Sequence, residues 1–165
     1  MSAASSVTIN DASFTERPSW DDVWMTMAHV LAQRSPDPTF KVGGLIVTSD
    51  NARILGIGYN GSYRGGPNEP ESLERGQSGF VHCEVNACIK SDFHYPLLRR
   101  MYITLSPCAM CAKVIVNAGL SEVIFFEEYR GSSSGFDVLR HAGIPFRQHC
   151  GKLIVPHTLL VGGSS

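Results

Sequence analysis

The stretch MYITLSPCAMCAKVIVNAGLSEVIF, residues 101–125, decides the fold because it reads as a strand, a helix and a second strand in direct succession. Residues 101–105 are rich in apolar, β-branched and aromatic side chains, which favour a strand. Pro107 suits the first turn of a helix, and Gly119 is a typical helix stop. A second strand is predicted at 122–126. Such alternation builds a sheet that is covered by helices.

The rest of the chain extends this alternation in both directions. Ser19, with Asp22 three residues later, resembles a capping box and predicts a helix that ends near Arg34. Residues 49–51 (SDN) indicate a hairpin turn. The predicted order gives an α/β fold with a central mixed sheet of about five strands and helices on both faces. The other predicted elements are strands at 42–48 and 54–59, a long loop at 60–80, helices at 82–91 and 135–142, and a strand within 144–160.

The first predicted helix carries large apolar side chains at helical spacing, which predicts one buried face. An exposed face containing Trp20 or Trp24 would instead favour an oligomer, but burial in the core of the monomer is the expectation. The apolar residues concerned are Trp20, Val23, Trp24, Met27, Val30 and Leu31.

Length and charge restrict the class of protein. The chain has 165 residues, with 14 Lys or Arg and 15 Asp or Glu, so its formal net charge is −1. The length suits one domain, predicted at 18–161 after a flexible tail at 1–17. The balanced charge makes a nucleic-acid partner unexpected. No apolar run approaches the roughly 18–20 residues of a membrane helix, and the first residues lack the features of a secretory signal. We therefore expect a cytoplasmic protein without a membrane partner.

Two short motifs, H-x-E and P-C-x-x-C, bring metal-binding residue types together. Cys108 and Cys111 share one face at a helix start, where the helix dipole favours thiolates. With His82 they form a Cys₂His set, which leaves the fourth position of a tetrahedral zinc ion open for catalysis. Glu84 is then placed to move protons between water and a substrate. The two motifs together are the signature of zinc-dependent nucleobase deaminases.

Plainer interpretations of the same residues stay open. A C-x-x-C pair also occurs in structural zinc sites and in redox pairs. A structural site needs a fourth ligand, for which Cys83, Cys88 and Cys150 are candidates, and His149 beside Cys150 is a weak second pair. Cys88 falls on an apolar stretch and is expected in the core. A redox role leaves the histidine and glutamate of H-x-E without a function, so the catalytic site is favoured.

Longer segments carry a family resemblance. LAQRSPDPTFKVGGLIV at 31–47, GIGYNG at 56–61, HCEVNA at 82–87 and TLSPCAMCAKVIVNAGLSEVIF at 104–125 are similar to segments of the cytidine deaminase superfamily. They resemble those of the deoxycytidylate (dCMP) deaminases most, and the resemblance spans about residues 19–148. It implies a three-layer α/β/α cytidine deaminase-like fold, one catalytic Zn²⁺ ion, and hydrolytic loss of ammonia from the pyrimidine C4.

The resemblance also implies roles for single residues. The family's zinc ligands and proton shuttle match the three ligands and the glutamate named above. Asn60 matches an asparagine that contacts the sugar hydroxyl, and Cys83 stands at the base pocket, where the family usually has alanine. Tyr129 either packs against the pyrimidine or closes the sheet edge. The further expected substrate contacts are Tyr129, Arg34, Ser106 and Pro107.

Basic residues in segments that flank the predicted pocket are candidates for phosphate binding, because arginine binds phosphate in a bidentate manner. Each of them could equally well solvate its own loop. Besides Arg34, the possible phosphate or effector contacts are Lys41, Arg64 and Arg130.

The expected function is therefore hydrolytic deamination of dCMP to dUMP, which supplies dUMP for thymidylate synthesis. The alternatives are the same chemistry on dCTP or on another cytosine or modified-cytosine nucleotide, deamination of adenosine in tRNA, and a noncatalytic relative. By resemblance, the partners are a small nucleotide substrate and further copies of the chain in a hexamer. The resemblance also implies regulation by dCTP and dTTP, with Mg²⁺ accompanying the effector.

Overall fold

We describe residues 17–154 of the chain in a computed structural model. The predicted tail lies almost entirely outside this range, and so does the predicted end of the domain at residue 161, so both boundaries stay predictions. The order α-β-β-α-β-α-β-α-β is confirmed. The elements are α1 (Trp20–Ala32), β1 (Gly43–Thr48), β2 (Ile54–Tyr59), α2 (Cys83–Ile89), β3 (Arg99–Leu105), α3 (Ala109–Asn117), β4 (Glu122–Glu127), α4 (Ser133–His141) and β5 (Phe146–Gln148).

One mixed sheet of five strands, in the order β2-β1-β3-β4-β5, forms the centre of the fold. The hairpin partners β1 and β2 are antiparallel, and β1 is also antiparallel to β3. From β3 onward the strands run parallel, because the crossovers through α3 and α4 return the chain to the same end of the sheet. The predicted turn is confirmed, with Asn51 at a positive φ of 61°.

Helices cover both faces of this sheet, so the predicted three-layer α/β/α arrangement is confirmed. On one face α1 packs on β1, β3 and β4 through a small core that contains Trp24, Met25, Leu45 and Tyr102. On the other face α2, α3 and α4 share a larger core. Among residues 17–154 no helix is long and apolar enough to cross a bilayer. Members of the larger core include Ile46, Cys88, Met101, Ile103, Ile115, Val123, Phe136 and Leu139.

Helix α1 begins as predicted but buries a different face. The capping box is confirmed, since the Ser19 hydroxyl oxygen accepts from the Asp22 N–H at 3.1 Å and Asp22 Oδ2 accepts from the Ser19 N–H at 3.2 Å. A Cβ on Gly43 would lie 2.3 Å from the Ala28 carbonyl oxygen, so helix and strand are in very close contact. The helix face that is buried in this contact is formed by Met25, Ala28 and Ala32, and the adjacent Trp24 is buried with it.

The prediction that all the large apolar side chains of α1 are buried is therefore wrong for three of them. They lie on the outer side of the helix, because small side chains occupy the contact with β1. Trp20 stacks on Trp24 with ring centroids 5.1 Å apart, but it stays half exposed. The exposed fractions are 48% for Trp20, 37% for Met27 and 52% for Val30.

Candidate metal centre and active site

Two helix starts carry the predicted metal-binding residues. His82 is the N-cap residue of α2, and Cys108 is the N-cap residue of α3, which follows β3 after three residues. Cys111 lies in the first turn of α3 and is buried. Helix α2 is held against β2 at its own first turn, because a Cβ on Gly58 would lie 2.2 Å from the Cys83 carbonyl oxygen. The sheet thereby fixes where both helix starts meet.

The three predicted ligands form one cluster. His82 Nδ1 lies 3.3 Å from Cys111 Sγ and 3.7 Å from Cys108 Sγ, and the three ligand atoms all lie within 4.8 Å of one another. Tetrahedral zinc with usual bond lengths separates a nitrogen from a sulfur ligand by about 3.5 Å. The donor set and its spacing therefore fit Zn²⁺. Within residues 17–154 this is the only group of three or more such residues that could hold a metal ion.

The electrostatics of the cluster favour a cation. Hydrogen bonds from the Cys111 thiol and the His82 ring lower the pKa of Cys108 to about 3. The same contact raises the pKa of Cys111, because its thiol donates to the Cys108 sulfur. The Cys108 sulfur also raises the pKa of His82. The Cys108 sulfur is thus a thiolate that accepts hydrogen bonds from the Cys111 thiol and the His82 ring. A divalent metal ion that binds all three side chains can replace the protons of these two hydrogen bonds.

Glu84 is buried beside the cluster without belonging to it. Its exposed fraction is 4%, and burial raises the pKa of its carboxyl group. It lines the same small cavity as His82 and Cys108. A carboxyl group with a raised pKa, close to a reacting centre, suits proton transfer in both directions.

The alternatives with a fourth ligand receive no support from the geometry. Cys88 is buried in the larger core, as predicted. His149 is paired with Asp22, with Nε2 and Oδ1 3.2 Å apart, and Cys150 Sγ lies 3.7 Å from the carbonyl oxygen of Gln148. Within residues 17–154 the cluster therefore has three candidate ligands, which is the number found in catalytic zinc sites.

The small cavity above the cluster is lined by several of the predicted substrate contacts. Asn60, Ser106 and Tyr129 all line it, with Phe40 and Leu105 as apolar walls. The Tyr129 N–H donates to the Ser106 hydroxyl oxygen at 2.7 Å, which ties the loop after β4 to the end of β3. Cavity, cluster and Glu84 thus form one site at the ends of β3 and β4.

Asn60 is held rigidly in the cavity wall. Its Nδ2 donates to the Phe40 carbonyl oxygen at 2.9 Å, and its Oδ1 accepts from the Cys83 N–H at 2.9 Å. The second N–H of the amide group is available to a ligand. Cys83 is fully buried and its N–H is engaged by Asn60, so it supports the cavity wall from behind and does not line the cavity.

Pro107 also stands behind the cavity wall. A Cβ on Gly135 of α4 would lie 2.2 Å from the Pro107 carbonyl oxygen, so the peptide after β3 faces α4 closely. Pro107 is not among the residues that line the small cavity. Its direct contact with substrate stays a prediction. It lies one residue before the N-cap Cys108 and so just outside α3, not in the first helical turn as predicted.

A larger groove of about 910 Å³ continues from the small cavity and shares Phe40, Gly76 and Tyr129 with it. Two predicted phosphate contacts, Lys41 and Arg130, line the groove. Arg34 and Arg64 are exposed, and within the described part of the chain they line neither the cavity nor the groove.

Sequence reasoning missed two residues of this region, Phe40 and Arg75. Phe40 lines both spaces, and Arg75 lines the groove. Arg75 belongs to a loop whose sequence shows neither helical nor strand periodicity. The sequence therefore did not predict that this loop lies against the groove. Phe40 had a usable signal, because it is an apolar residue next to Lys41 just before a predicted strand.

Comparison with known proteins agrees with this site. The family described as the cytidine and deoxycytidylate deaminase zinc-binding region matches residues 18–127. A probable deoxycytidylate deaminase of Drosophila melanogaster is 35% identical, over 79% of this chain and 72% of its own length. The deoxycytidylate deaminase of Homo sapiens is 34% identical, over 82% of this chain and 84% of its own length.

A solved structure also matches the fold. The dCMP deaminase of the cyanophage S-TIM5, in complex with dCMP and dUMP, superposes with a TM-score of 0.69 at 30% identity. The match covers 81% of this chain and 99% of that one. The chain therefore belongs to the family of zinc-binding cytidine and deoxycytidylate deaminases.

Proposed function

We propose that this chain is a hydrolase that converts dCMP to dUMP and ammonia, and so supplies dUMP for thymidylate synthesis. The carrying observation is the juxtaposition of buried Glu84 with the His82, Cys108 and Cys111 cluster, in a cavity that adjoins a groove with basic side chains in its lining. The similar phage dCMP deaminase, solved with dCMP and dUMP, supports the choice of substrate.

His82, Cys108 and Cys111 would hold the zinc ion. When bound, zinc acts as a Lewis acid that activates water for attack on the pyrimidine C4. Two cysteine ligands cancel much of the charge of the ion, so a separate base for the water is useful.

Glu84 supplies that base. Its carboxylate accepts a proton from the attacking water and donates it to N3 of the cytosine ring. It then takes the proton of the hydroxyl group added at C4 and gives it to the amino group. The C4–N bond breaks as the C4 carbonyl forms, so that water and dCMP give dUMP and ammonia. Burial supports both roles, because a raised pKa brings the carboxyl group closer to working pH.

The cavity wall orients the nucleotide. The free amide N–H of Asn60 is available to a sugar hydroxyl, and Tyr129 offers an aromatic wall to the pyrimidine. In the groove, Lys41 and Arg130 provide positive charge for the 5′-phosphate. Glu127 and Glu128 line the same groove. A triphosphate carries more negative charge against these carboxylates than a monophosphate does, so the groove favours dCMP over dCTP.

The family resemblance carries three further expectations, namely a homo-oligomer of six subunits, regulation by dCTP and dTTP with Mg²⁺, and a cytoplasmic location. The outer side of α1, where Trp20, Met27 and Val30 are exposed, agrees with an oligomer. These expectations stay predictions.

The test measures release of ammonia by the zinc-loaded protein from dCMP, dCTP, cytidine and deoxycytidine, each with and without dCTP or dTTP as effector. We expect turnover of dCMP at a kcat/KM far above those of the other three. The matched variant is Glu84→Gln, which keeps the shape of the side chain and removes its titratable proton.

The expected result for Glu84→Gln is zinc content equal to that of the wild type and turnover reduced by about 10²- to 10⁴-fold. Normal turnover by this variant would refute the role of Glu84. A zinc-loaded wild type that acts on none of the four compounds would refute the proposed function and leave a modified cytosine, an RNA substrate or a noncatalytic role.

A further inference from the structure

Arg75 has no role in the proposed chemistry, yet it lies one aromatic ring away from the reaction cavity. Its Cζ atom is 5.1 Å from the centre of the Phe40 ring, which is a cation–π distance. The Phe40 ring meets Tyr129 edge to face, with centroids 5.9 Å apart. Phe40 and Tyr129 line both the cavity and the groove, whereas Arg75 lines the groove alone. Arg75 therefore stands at the groove side of the aromatic pair.

The loop that carries Arg75 is anchored to the segment that carries Phe40. Asp37, with an exposed fraction of 3%, accepts from the Phe40 N–H at 2.7 Å through Oδ1 and from the Ser78 hydroxyl at 2.7 Å through Oδ2. One buried carboxylate thus holds both segments. The turn is further fixed by the Gln77 N–H, which donates to the Glu74 carbonyl oxygen at 3.0 Å.

The position next to Arg75 requires glycine. Gly76 has a φ of +78°, in the left-handed region that other residues rarely adopt. Gly76 lines both the cavity and the groove. The loop therefore presents bare backbone to the ligand space and projects the Arg75 side chain beside it.

The guanidinium group of Arg75 is available to an anion. Within residues 17–154 the ion pairs involve other basic side chains, namely those of Arg100, Arg140, Arg147 and His149. An arginine has five N–H donors in a planar fork that matches phosphate oxygens. The Phe40 ring engages the guanidinium group through its π face and not through a hydrogen-bond acceptor.

We propose that Arg75 binds the 5′-phosphate of the substrate and sets the preference for a nucleotide over a nucleoside, with Phe40 as the residue that positions it. This inference rests on the proposed function. A nucleotide with its base in the small cavity extends its 5′ end into the adjoining groove. Lys41 and Arg130 add charge there, but Arg75 alone combines a bidentate fork with an aromatic support that also forms the cavity wall.

The test compares kcat/KM for dCMP and for deoxycytidine in the wild type and in Arg75→Ala, both loaded with zinc. The matched control is Arg53→Ala, because Arg53 makes a similar contact, with Cζ 5.0 Å from the Tyr95 ring, next to the β1–β2 turn at the other end of the sheet. Arg75→Lys keeps the charge and removes the fork.

We expect Arg75→Ala to lose about 10- to 100-fold in kcat/KM for dCMP, as for other hydrogen bonds to a charged group, with deoxycytidine turnover and zinc content unchanged. Arg75→Lys should recover only part of the loss, and Arg53→Ala should match the wild type. An unchanged ratio of the two substrates in Arg75→Ala overturns the assignment, and so does an equal loss on both, which shows a structural role. Failure of the wild type on dCMP refutes the proposed function instead, so the two failures are distinguishable.

Discussion

The contact between β2 and the first turn of α2 makes a sharp prediction, because it fixes His82 and Glu84 without touching a substrate. A Cβ on Gly58 would lie 2.2 Å from the Cys83 carbonyl oxygen and 2.6 Å from the Ala87 nitrogen. Both are backbone atoms, so no side chain can rotate away. In Gly58→Ala the helix must therefore move by about 1 Å to restore a tolerable separation.

Such a displacement affects stability and catalysis differently. Overpacking of this kind costs about 1–3 kcal/mol of unfolding free energy. A misplacement of about 1 Å in catalytic groups costs about 10²-fold in rate. The matched variant is Gly56→Ala, whose Cβ would lie 2.5 Å from the Ala87 carbonyl oxygen, toward the end of α2 that is remote from the ligands.

The assay measures Tm, zinc content and kcat/KM on dCMP for both variants. We expect both to lower Tm, and Gly58→Ala to lose about 10²-fold more in kcat/KM per bound zinc than Gly56→Ala. The reasoning is refuted if Gly58→Ala keeps wild-type activity per zinc, or if the two variants lose activity equally.

Three further predictions test the metal centre, the corrected helix face and the acid stability. Replacing Cys111 by Ser should abolish stoichiometric zinc binding and lower Tm, as measured by metal analysis and calorimetry, because metal binding stabilises the folded site. Met25→Ala should cost about 2–5 kcal/mol in denaturant unfolding, since Met25 is fully buried, whereas Met27→Ala on the outer side of the same helix should stay within about 0.5 kcal/mol. Burial raises the pKa of Asp21, but hydrogen bonds from Tyr102 and Arg147 outweigh that effect and lower the pKa in the folded protein. The ionised carboxylate therefore stabilises the fold at pH values above its ordinary pKa of 3.8, and this stabilisation is lost as the pH falls below that value. Asp21→Asn should flatten the acid side of a plot of Tm against pH, and an unchanged slope would contradict this assignment.

Local signals made much of the fold predictable from the sequence. The capping box at Ser19, the stop at Gly119 and the hairpin turn at Asn51 depend on neighbouring residues, and all three are confirmed. The cluster of His82 with the two cysteines was predictable for the same reason, since all three lie at helix starts that the sequence marks. Features of this kind need no knowledge of which distant segments come together.

Features that depend on tertiary distance were not predictable. The apolar spacing in α1 allowed more than one buried face, and the choice was made by the close approach of Gly43 to the Ala28 backbone. Trp20 and Val30 were left outside as a result. Arg75 was missed because no periodic pattern relates its loop to the groove, whereas Lys41 was found because it lies in a segment predicted to flank the pocket.

Buried polar side chains of the segment RSPDP, residues 34–38, hold several parts of the site in place. Ser35 donates through its hydroxyl to the Asn60 carbonyl oxygen at 2.8 Å, and both Ser35 and Asp37 are buried. Asp37 holds Phe40 and, through Ser78, the loop of Arg75. These two polar side chains thus connect Asn60, the aromatic wall and the proposed phosphate contact, while Arg34 at the start of the segment is exposed outside the groove. The segment therefore fixes the relative placement of three parts of the proposed nucleotide site, and replacing Asp37 by Asn should weaken dCMP binding more than it weakens binding of zinc.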